Sequence, residues 1–566
     1  MAENQGNSAQ HISPAVVNGS SQNGSDERTP LLGDQNKNVF PAEQQQQPPL
    51  VNNDEQTIIV EEVKGVKLYL ILFSCWVGVF LGAIDSTIIA TLSAPISSEF
   101  HSLSLLSWLA TAYLIANAAC QPISGRLTDI FGRGPGLIFS NVFFAGGNLI
   151  CGLARDENVM ILGRVIAGIG GGGLMSISTF TCTDLVPLRN RGVIQGIGNI
   201  CYGAGAMLGG IFGGLVNDNS TWGWRLAFLV QVPPVLLSAC LVAYLVRIPP
   251  KVSEKSYLAR IDFTGAFSLI VFLVLLLLGL NAGGNLVPWT HPIPLTSLPL
   301  SFAAFIGFIL WEARAKQPVI PVRLLIHRTV FTACMTNLLC CMVNMMALFY
   351  APLYLQARGS SATQAGLVIL FAPIGICICS VGSGILMKKT GRYVGLGILA
   401  VTLMLACVVI LTTLNESSPS WPLMVAFFLL GSGQGAMLTV TLLACLAAVE
   451  HAHQATVTSA TYAFRSVGGT VGITVASAIY QNVLKSRLWE RFGGLPGAAE
   501  EIHRIRDDLD ELRHLPEGWY DGVIASFMEA FRSVWFTMLG LVLLGLVSVS
   551  FMRQHKLHST LSRSEE

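Results

Sequence analysis

Apolar runs of about 17–25 residues recur along most of the chain and alternate with short polar connections. This is the length that a helix needs to cross the hydrocarbon core of a bilayer. Backbone in contact with lipid must satisfy its own hydrogen bonds, so we predict that each run is an α-helix. Fourteen such helices are predicted, at roughly 66–90, 104–124, 136–154, 158–183, 192–216, 226–246, 261–281, 294–313, 330–356, 364–387, 393–414, 421–448, 455–483 and 530–552.

The first 63 residues have a different composition, rich in Asn, Gln, Ser and Pro. Such a segment cannot bury enough apolar surface to fold, so we predict that 1–63 is a disordered cytosolic tail. The rest is predicted to comprise an N-terminal six-helix bundle (64–248), a linker with two extra helices (249–325), a C-terminal six-helix bundle (326–483 and 530–552), a long luminal loop (484–529) and a cytosolic C-terminal tail (553–566). Within the loop, EEIHRIRDDLDELRHL favours an amphipathic surface helix.

Composition supports this interpretation and excludes others. The chain is 52% hydrophobic and 12% charged, whereas soluble proteins carry about 25% charged residues. The net charge of +1 gives no electrostatic reason to expect nucleic-acid binding. The 13 Cys lie mostly singly in apolar runs, without zinc-site spacing. With no catalytic triad, metal cluster or phosphate loop in register, we predict neither an enzyme nor a cofactor.

Positive charges are distributed unevenly among the connections. Most Arg and Lys residues fall in alternate loops, beginning with Arg126 and Arg133, which predicts that those loops and both termini are cytosolic. The sequons at Asn219 and Asn415 then lie on the opposite side and are predicted to be glycosylated.

One carboxylate lies inside the first apolar run, at Asp85 in GVFLGAIDSTIIATLSAPI (78–96). A charge near the bilayer centre costs roughly 2.5–3.5 kcal/mol by insertion assays. Two arginines, Arg164 and Arg465, also lie inside predicted helices and need a partner or water. Either Asp85 is a buried structural carboxylate that pairs with Arg164 or Arg465, or it exchanges protons and a substrate cation.

An internal repeat organises the chain. Gly125-Arg-Leu-Thr-Asp129-Ile-Phe-Gly132-Arg133 follows the second predicted helix, and GILMKKTGR follows the tenth, 259 residues later. A second pair, GIGGG at Gly168 and GSGQG at Gly431, has nearly the same offset. Repeated helix bundles are a transporter architecture, so we predict two related six-helix halves.

The first repeat has the properties of a tight turn that could act as a gate. Its glycines let two helices approach and reverse, while Asp129 and Arg133 can clamp neighbouring helix ends. Asp184, at the end of the fourth predicted helix, could join them. The alternative is a plain Gly/Arg loop whose charge only sets topology.

These motifs resemble those of the major facilitator superfamily, in its fourteen-helix drug:proton antiporter branch. GRLTDIFGR matches the family's loop signature, and Gly163–Gly170 resembles the motif whose arginine, here Arg164, is linked to proton coupling. Gly205, Gly209 and Gly210 resemble the antiporter glycine motif, and Asp85–Pro95 resembles the branch's helix 1 signature. The resemblance implies the major facilitator fold, with Asp85, Arg164 and Arg465 as candidates for proton coupling or substrate binding.

Other polar residues inside predicted helices could line a cavity, although each could instead form an interhelical hydrogen bond. These residues are Tyr113, Asn117, Gln121, Asn199, Asn344 and Gln434.

The N-terminal tail contains a possible sorting signal. Glu27 precedes Leu31-Leu32 by four positions, which resembles the dileucine signal that adaptors read for lysosomes and vacuoles. It predicts an adaptor as partner and a vacuolar membrane as location, with the plasma membrane as the alternative.

The ensemble is similar to fungal vacuolar basic amino acid transporters of this branch. The resemblance implies that a small cationic substrate, Lys, Arg or His, enters the acidic lumen in exchange for protons, through a multi-pass protein that we expect to be monomeric. One alternative is a proton-driven exporter of cationic drugs at the plasma membrane. Another is a nutrient receptor on the same fold that does not transport.

Overall fold

The computed structural model describes residues 65–100, 103–246, 248, 261–283, 287–315, 319, 322–360, 362–415, 418–450, 453–495, 498–507, 515 and 518–557. These residues are almost entirely helical. The first helices are α1 Val66–Glu99, α2 Leu103–Phe131, α3 Arg133–Leu153, α4 Glu157–Leu185, α5 Leu188–Asn219, α6 Trp224–Leu229 and α7 Val232–Leu245. A middle group contains α8 Phe263–Ala282, α9 Pro292–Glu312 and α10 Val322–Ile326. The last helices are α11 Arg328–Ala357, α12 Ala362–Ile369, α13 Phe371–Thr390, α14 Val394–Thr413, α15 Trp421–Ala448, α16 Gln454–Phe492, α17 Ala498–Asp507 and α18 Tyr520–Ser550.

Within these described residues, twelve helical segments are long and apolar enough to cross a membrane. The long helices α2 and α16 fall outside that set. The predicted all-helical membrane fold is therefore confirmed, whereas the count of fourteen spans stays a prediction.

Two predicted spans are each built from two helices. The span predicted at 226–246 consists of α6 and α7, which meet at Val230 and Gln231 just before two prolines. Proline cannot donate the backbone hydrogen bond that a continuous helix needs, which accounts for the break. The span predicted at 364–387 consists of α12 and α13, which meet at Leu370.

The predicted loop 484–529 is shorter than expected. Helix α16 continues to Phe492, and α18 already begins at Tyr520. The amphipathic segment forms α17 in its described part, with Ile502 and Ile505 buried.

The helices α1–α7 pack together, as do α11–α18, and the two bundles meet mainly along two pairs of helices, α5 with α13 and α2 with α16, with smaller contacts of α5 with α15 and of α4 with α16. We call this boundary the seam. The extra pair α8–α9 lies beside the α2–α16 part of the seam: Leu277 of α8 packs against Ile115 and Ala118, and the Thr474 hydroxyl donates to the Leu280 carbonyl at 3.2 Å.

The ends of the helices define two faces. We call the end where α1 begins the near face and the end where α1 terminates the far face. On the far face, Glu99 accepts hydrogen bonds from Trp224 and Arg225, and Arg225 also donates to the Ala154 carbonyl. These contacts join the ends of α1 and α3 to the start of α6.

Candidate functional site

Asp85 and Arg164 form an ion pair inside the first bundle. Arg164 Nη1 donates to Asp85 Oδ2 at 2.9 Å, and neither side chain has any exposed surface. Arg164 Nε also donates to the Leu109 carbonyl at 3.1 Å. The pair therefore ties together α1, α2 and α4.

Aromatic rings enclose this pair. The guanidinium lies 4.4 Å from the centre of the Tyr113 ring and 6.0 Å from that of Phe228. Among the described residues, Asp85 Oδ1 accepts no hydrogen bond, although the buried Gln231 side chain lies beside Asp85. A sealed pair with one unsatisfied oxygen can accept a proton at Asp85 at the expense of its attraction to Arg164.

The structure does not bring Arg465 into this pair. Its Nε donates to Asn337 Oδ1 at 3.0 Å and its Nη2 donates to the Leu438 carbonyl at 3.2 Å. Of the two partners left open for Asp85 by the sequence, Arg164 is the one that it contacts. In this conformation Asp85 is also closed to a substrate cation, because the pair is fully buried.

The six predicted cavity residues mostly make hydrogen bonds within the protein. The Tyr113 hydroxyl donates to the Gly82 carbonyl at 3.1 Å, which joins α2 to α1. Gln434 Nε2 contacts Cys341 Sγ at 3.6 Å, and Asn344 is 7% exposed. These three lie inside one or the other bundle.

The remaining three lie at the seam. Gln121 Nε2 donates to Asn117 Oδ1 at 2.6 Å, and its Oε1 accepts from Ser466 across the seam at 3.4 Å. Asn199 Nδ2 donates to the hydroxyls of Ser380 at 2.7 Å and Thr439 at 3.4 Å, which also belong to the other bundle.

Tyr462 is a seam residue that the sequence analysis did not select. Its hydroxyl hydrogen-bonds to that of Thr179 at 2.8 Å, which joins α16 to α4. Tyr462 lies 263 residues after Asn199, the same offset as between Gly168 and Gly431. Adding this offset to the number of each polar helix residue in the first half identifies Tyr462 as the counterpart of Asn199. The bonds from Asn199 and Tyr462 are thus related by the internal symmetry.

Arg133 forms the predicted clamp on the near face. Its Nη2 donates to Asp129 at 2.7 Å, its Nε to Asp184 at 2.8 Å and its Nη1 to the Thr128 hydroxyl at 2.6 Å. Gly132, which precedes α3, has φ 97°, a left-handed conformation that favours glycine. The motif therefore connects α2, α3 and α4, while its function as a gate stays a prediction.

The repeated motif glycines lie at the two seam crossings. A Cβ on Gly125 would overlap Ser459 Oγ of α16, and one on Gly384 would lie 2.5 Å from the Gly192 backbone of α5. Close by, Arg191 donates to Gln454 at 2.8 Å between the bundles. These contacts close the seam at the near face.

The antiporter glycine motif lies against the first helix. A Cβ on Gly205 would overlap the Phe80 carbonyl of α1, and one on Gly209 would overlap the Thr87 hydroxyl. Gly210 lies in the same helix, α5. The motif allows α1 and α5 to pack closely.

Some predicted sites fall outside what the structure describes. Glu27, Leu31 and Leu32 precede the described residues, and Asn219 is described only in its backbone. Asn415 is exposed, and its Oδ1 accepts a hydrogen bond from Arg532 at 2.8 Å. The sorting signal and the glycosylation sites stay predictions. Among the described residues, no group of His, Cys, Asp or Glu could hold a metal ion.

Comparison with protein families gives one match, in which residues 75–473 fit the Major Facilitator Superfamily. The chain is 35% identical to "Multidrug resistance protein fnx1" of Schizosaccharomyces pombe, over 89% of this chain and 96% of that protein. It is 31% identical to "Vacuolar membrane amino acid uptake transporter fnx2" of the same yeast, over 87% and 83%. It is 29% identical to "Vacuolar basic amino acid transporter 1" of Saccharomyces cerevisiae, over 86% and 92%.

Solved structures with low sequence identity share the fold. The human organic anion transporter MFSD10 aligns with a TM-score of 0.54 at 13% identity, covering 86% of this chain and 100% of that one. The proton:xylose symporter XylE aligns with a TM-score of 0.52 at 14% identity, covering 83% and 95%.

Proposed function

Because the chain belongs to the Major Facilitator Superfamily, we propose that it is a proton-coupled exchanger that moves the basic amino acids Lys, Arg and His from the cytosol into the vacuole. The observation that carries the proposal is the buried pair of Asp85 with Arg164. An ionisable pair inside a membrane bundle is costly, and such pairs occur where a transporter relays protons.

The pair gives protons a way to change the conformation. When Asp85 accepts a proton, Arg164 loses the anion that compensates its charge in an apolar interior. The bundle then favours an arrangement in which Arg164 meets water or another anion. Loss of the proton on the other side of the membrane restores the pair, and alternating access follows from the difference between the two states.

The near face is proposed to be cytosolic. It carries Arg133 and Arg191, together with Arg189, whose Nε donates to the Lys388 carbonyl of the other bundle at 2.7 Å. Basic residues concentrate on the cytosolic side of membrane proteins. With the seam closed at this face, the proposed state is open toward the lumen. The dileucine motif would direct the protein to the vacuole.

The names of two relatives, fnx2 and the budding-yeast transporter, support amino acids as the substrate class. A second candidate, a proton-driven exporter of cationic drugs, is supported by the name of fnx1 at 35% identity. A receptor that binds amino acids without moving them is a third.

Uptake into proteoliposomes distinguishes these candidates. Purified protein is reconstituted, an acidic interior is imposed, and accumulation of labelled lysine is compared with that of a cationic dye. We expect lysine to accumulate and the accumulation to stop when the pH gradient is collapsed. Accumulation of the dye alone would overturn the proposal in favour of drug export. Lysine binding without accumulation would favour the receptor.

A further inference from the structure

Arg465 places a positive charge near the middle of the membrane. It is the twelfth residue of α16, which begins at Gln454 on the near face. At 1.5 Å per residue, Arg465 lies about 16 Å along the helix, close to half of the roughly 30 Å hydrocarbon core.

The hydrogen-bond partners of Arg465 are neutral. In the described part of the chain, the guanidinium donates to the Asn337 side chain and the Leu438 carbonyl and contacts the Tyr462 ring, with its centre 4.9 Å away. It forms no ion pair there, whereas Arg164 is neutralised by Asp85. A guanidinium at this depth without an anion is costly, so it marks a place where an anion binds during the functional cycle.

The surroundings of Arg465 leave space for a ligand. Tyr202 of α5, in the opposite bundle, lies within electrostatic range of Arg465, Tyr462 and Cys341. Tyr202 is 44% exposed. Arg465 and Tyr462 are themselves only partly buried. Accessible side-chain surface on both bundles therefore leaves room for a ligand beside Arg465.

We propose that Arg465 binds the carboxylate of the transported substrate. This inference rests on the proposed function and sharpens it: the substrate class is α-amino acids that carry a free carboxylate, and lipophilic cations without one are excluded. Arg guanidinium and carboxylate form a charge-assisted, often bidentate pair. The proton is then accepted by Asp85, the partner of Arg164 in the first bundle, whereas the substrate carboxylate is bound by Arg465 in the second.

Equilibrium binding to the full-length protein in nanodiscs, without a pH gradient, tests this assignment. The ligand is labelled lysine, and the competitors are unlabelled lysine, lysinamide, cadaverine and tetraphenylphosphonium. Lysinamide replaces the carboxylate by a neutral amide, and cadaverine lacks it altogether. We expect lysine to compete roughly ten- to hundredfold better than lysinamide or cadaverine, the range for a hydrogen bond to a charged group.

Three variants separate recognition from structure. Arg465→Gln removes the charge and should weaken lysine binding by the same factor, while Arg465→Lys should retain part of it. Asn337→Asp supplies a carboxylate beside the guanidinium; it should weaken lysine binding about tenfold or more without lowering thermal stability, because Arg465 is then already neutralised. Arg358→Gln is the matched control, since Arg358 lies in the same bundle and its hydrogen bonds within the described residues also go to neutral groups, Tyr354 and the Ser418 carbonyl.

The possible failures are distinguishable. If lysine and lysinamide compete equally and Arg465→Gln binds lysine like the unmodified protein, the assignment of Arg465 is wrong while the proposed function stands. If Asn337→Asp binds lysine at full strength, Arg465 has only a structural role. If tetraphenylphosphonium binds and lysine does not, the proposed function itself fails.

Discussion

Asp85 and Arg164 depend on each other for their place in the bundle. Neither has exposed surface, and each removes the charge that the other would otherwise leave in an apolar interior. Such a pair adds little net stability compared with two apolar side chains, but removing one partner strands the other. The proposed proton coupling accounts for the pair at this depth, whereas a gain in stability does not.

A double-mutant cycle tests this interdependence. Asp85→Asn and Arg164→Gln should each destabilise the protein by about 3–5 kcal/mol, and the double variant should lose less than the sum because no charge is stranded. All three should lose pH-driven lysine accumulation. Thermal unfolding in detergent and proteoliposome uptake are the measurements. Full coupled uptake by Asp85→Asn would refute the coupling role, and additive losses of stability would refute the pairing.

The contacts of Glu99 on the far face predict that the stability of the protein depends on pH. Burial alone would raise the pKa of Glu99, but hydrogen bonds from Arg225 and Trp224 outweigh it and hold the pKa below its ordinary value. A carboxylate with a depressed pKa stabilises the fold above its unfolded pKa, and this stabilisation is lost as the pH falls through its folded pKa. The contact should therefore persist in an acidic lumen.

The comparison is between unmodified protein and Glu99→Gln in thermal unfolding at a series of pH values. We expect the difference in stability between the two proteins to be constant from pH 7 to about pH 5. It should disappear only below the ordinary glutamate pKa of about 4.3. Glu490→Gln is the control, because Glu490 is 63% exposed and bonds to Arg487 on its own helix; it should change little. A difference that is already lost near pH 6 would contradict the depressed pKa.

At this scale the sequence predicts functional roles for Asp85, Arg164 and Arg465, but it does not indicate which arginine pairs with Asp85. The cost of a buried charge is a property of one residue and is visible in the sequence. Which arginine neutralises it depends on the packing of α1 against α4 and of α16 against α11. Gln231, which lies beside Asp85, and Asn337, which accepts from Arg465, have no sequence signal that separates them from other buried amides.

At the scale of the helices, the seam is closed by backbone in close contact at two crossings. The Gly384 position on α13 meets Gly192 of α5, and Gly125 on α2 meets Ala455 and Ser459 of α16. The repeat offset of 259 residues relates the two motif glycines. A side chain at either crossing would hold the bundles apart at the near face.

Gly384→Val should therefore open the near face, whereas Gly382→Val should not, because a Cβ on Gly382 meets nothing within 4 Å. Cys182 serves as reporter: it is buried in a small pocket beside Arg191, Gly192 and Leu446. In a background that retains Cys182 and lacks the other twelve cysteines, we expect maleimide to react several-fold faster in Gly384→Val. Equal rates in folded, monodisperse Gly384→Val and Gly382→Val would disprove the closing role.

The helices themselves were largely predictable, because a membrane span is specified by the length of an apolar run. The exceptions are local. The break at Val230 and Gln231 depends on prolines within a run that remains apolar throughout. The extension of α16 to Phe492 depends on packing of a polar helical end, with Leu484 and Leu488 buried, and an apolar-length criterion does not detect it.

At the scale of the whole molecule, the proposed orientation places the far face in the lumen. Asn415 lies there, exposed and beside Arg532. We expect endoglycosidase treatment to shift the electrophoretic mobility of the unmodified protein, and Asn415→Gln to lose the part of the shift due to that glycan. The two sequons of the N-terminal tail, at Asn18 and Asn23, are the control, since Asn18→Gln and Asn23→Gln should change nothing if the tail is cytosolic. A glycan at Asn18 or Asn23 would contradict the proposed topology, because it would place the N-terminal tail in the lumen.

The burial of the Asp85–Arg164 pair also has a consequence for speed. Without solvent contact, a proton reaches Asp85 only when the surrounding helices part, and helix rearrangements of this kind take microseconds to seconds. The frequency of that opening then sets an upper limit on turnover, however steep the pH gradient. Replacing H2O by D2O should slow transport little, whereas a stiffer bilayer should slow it markedly.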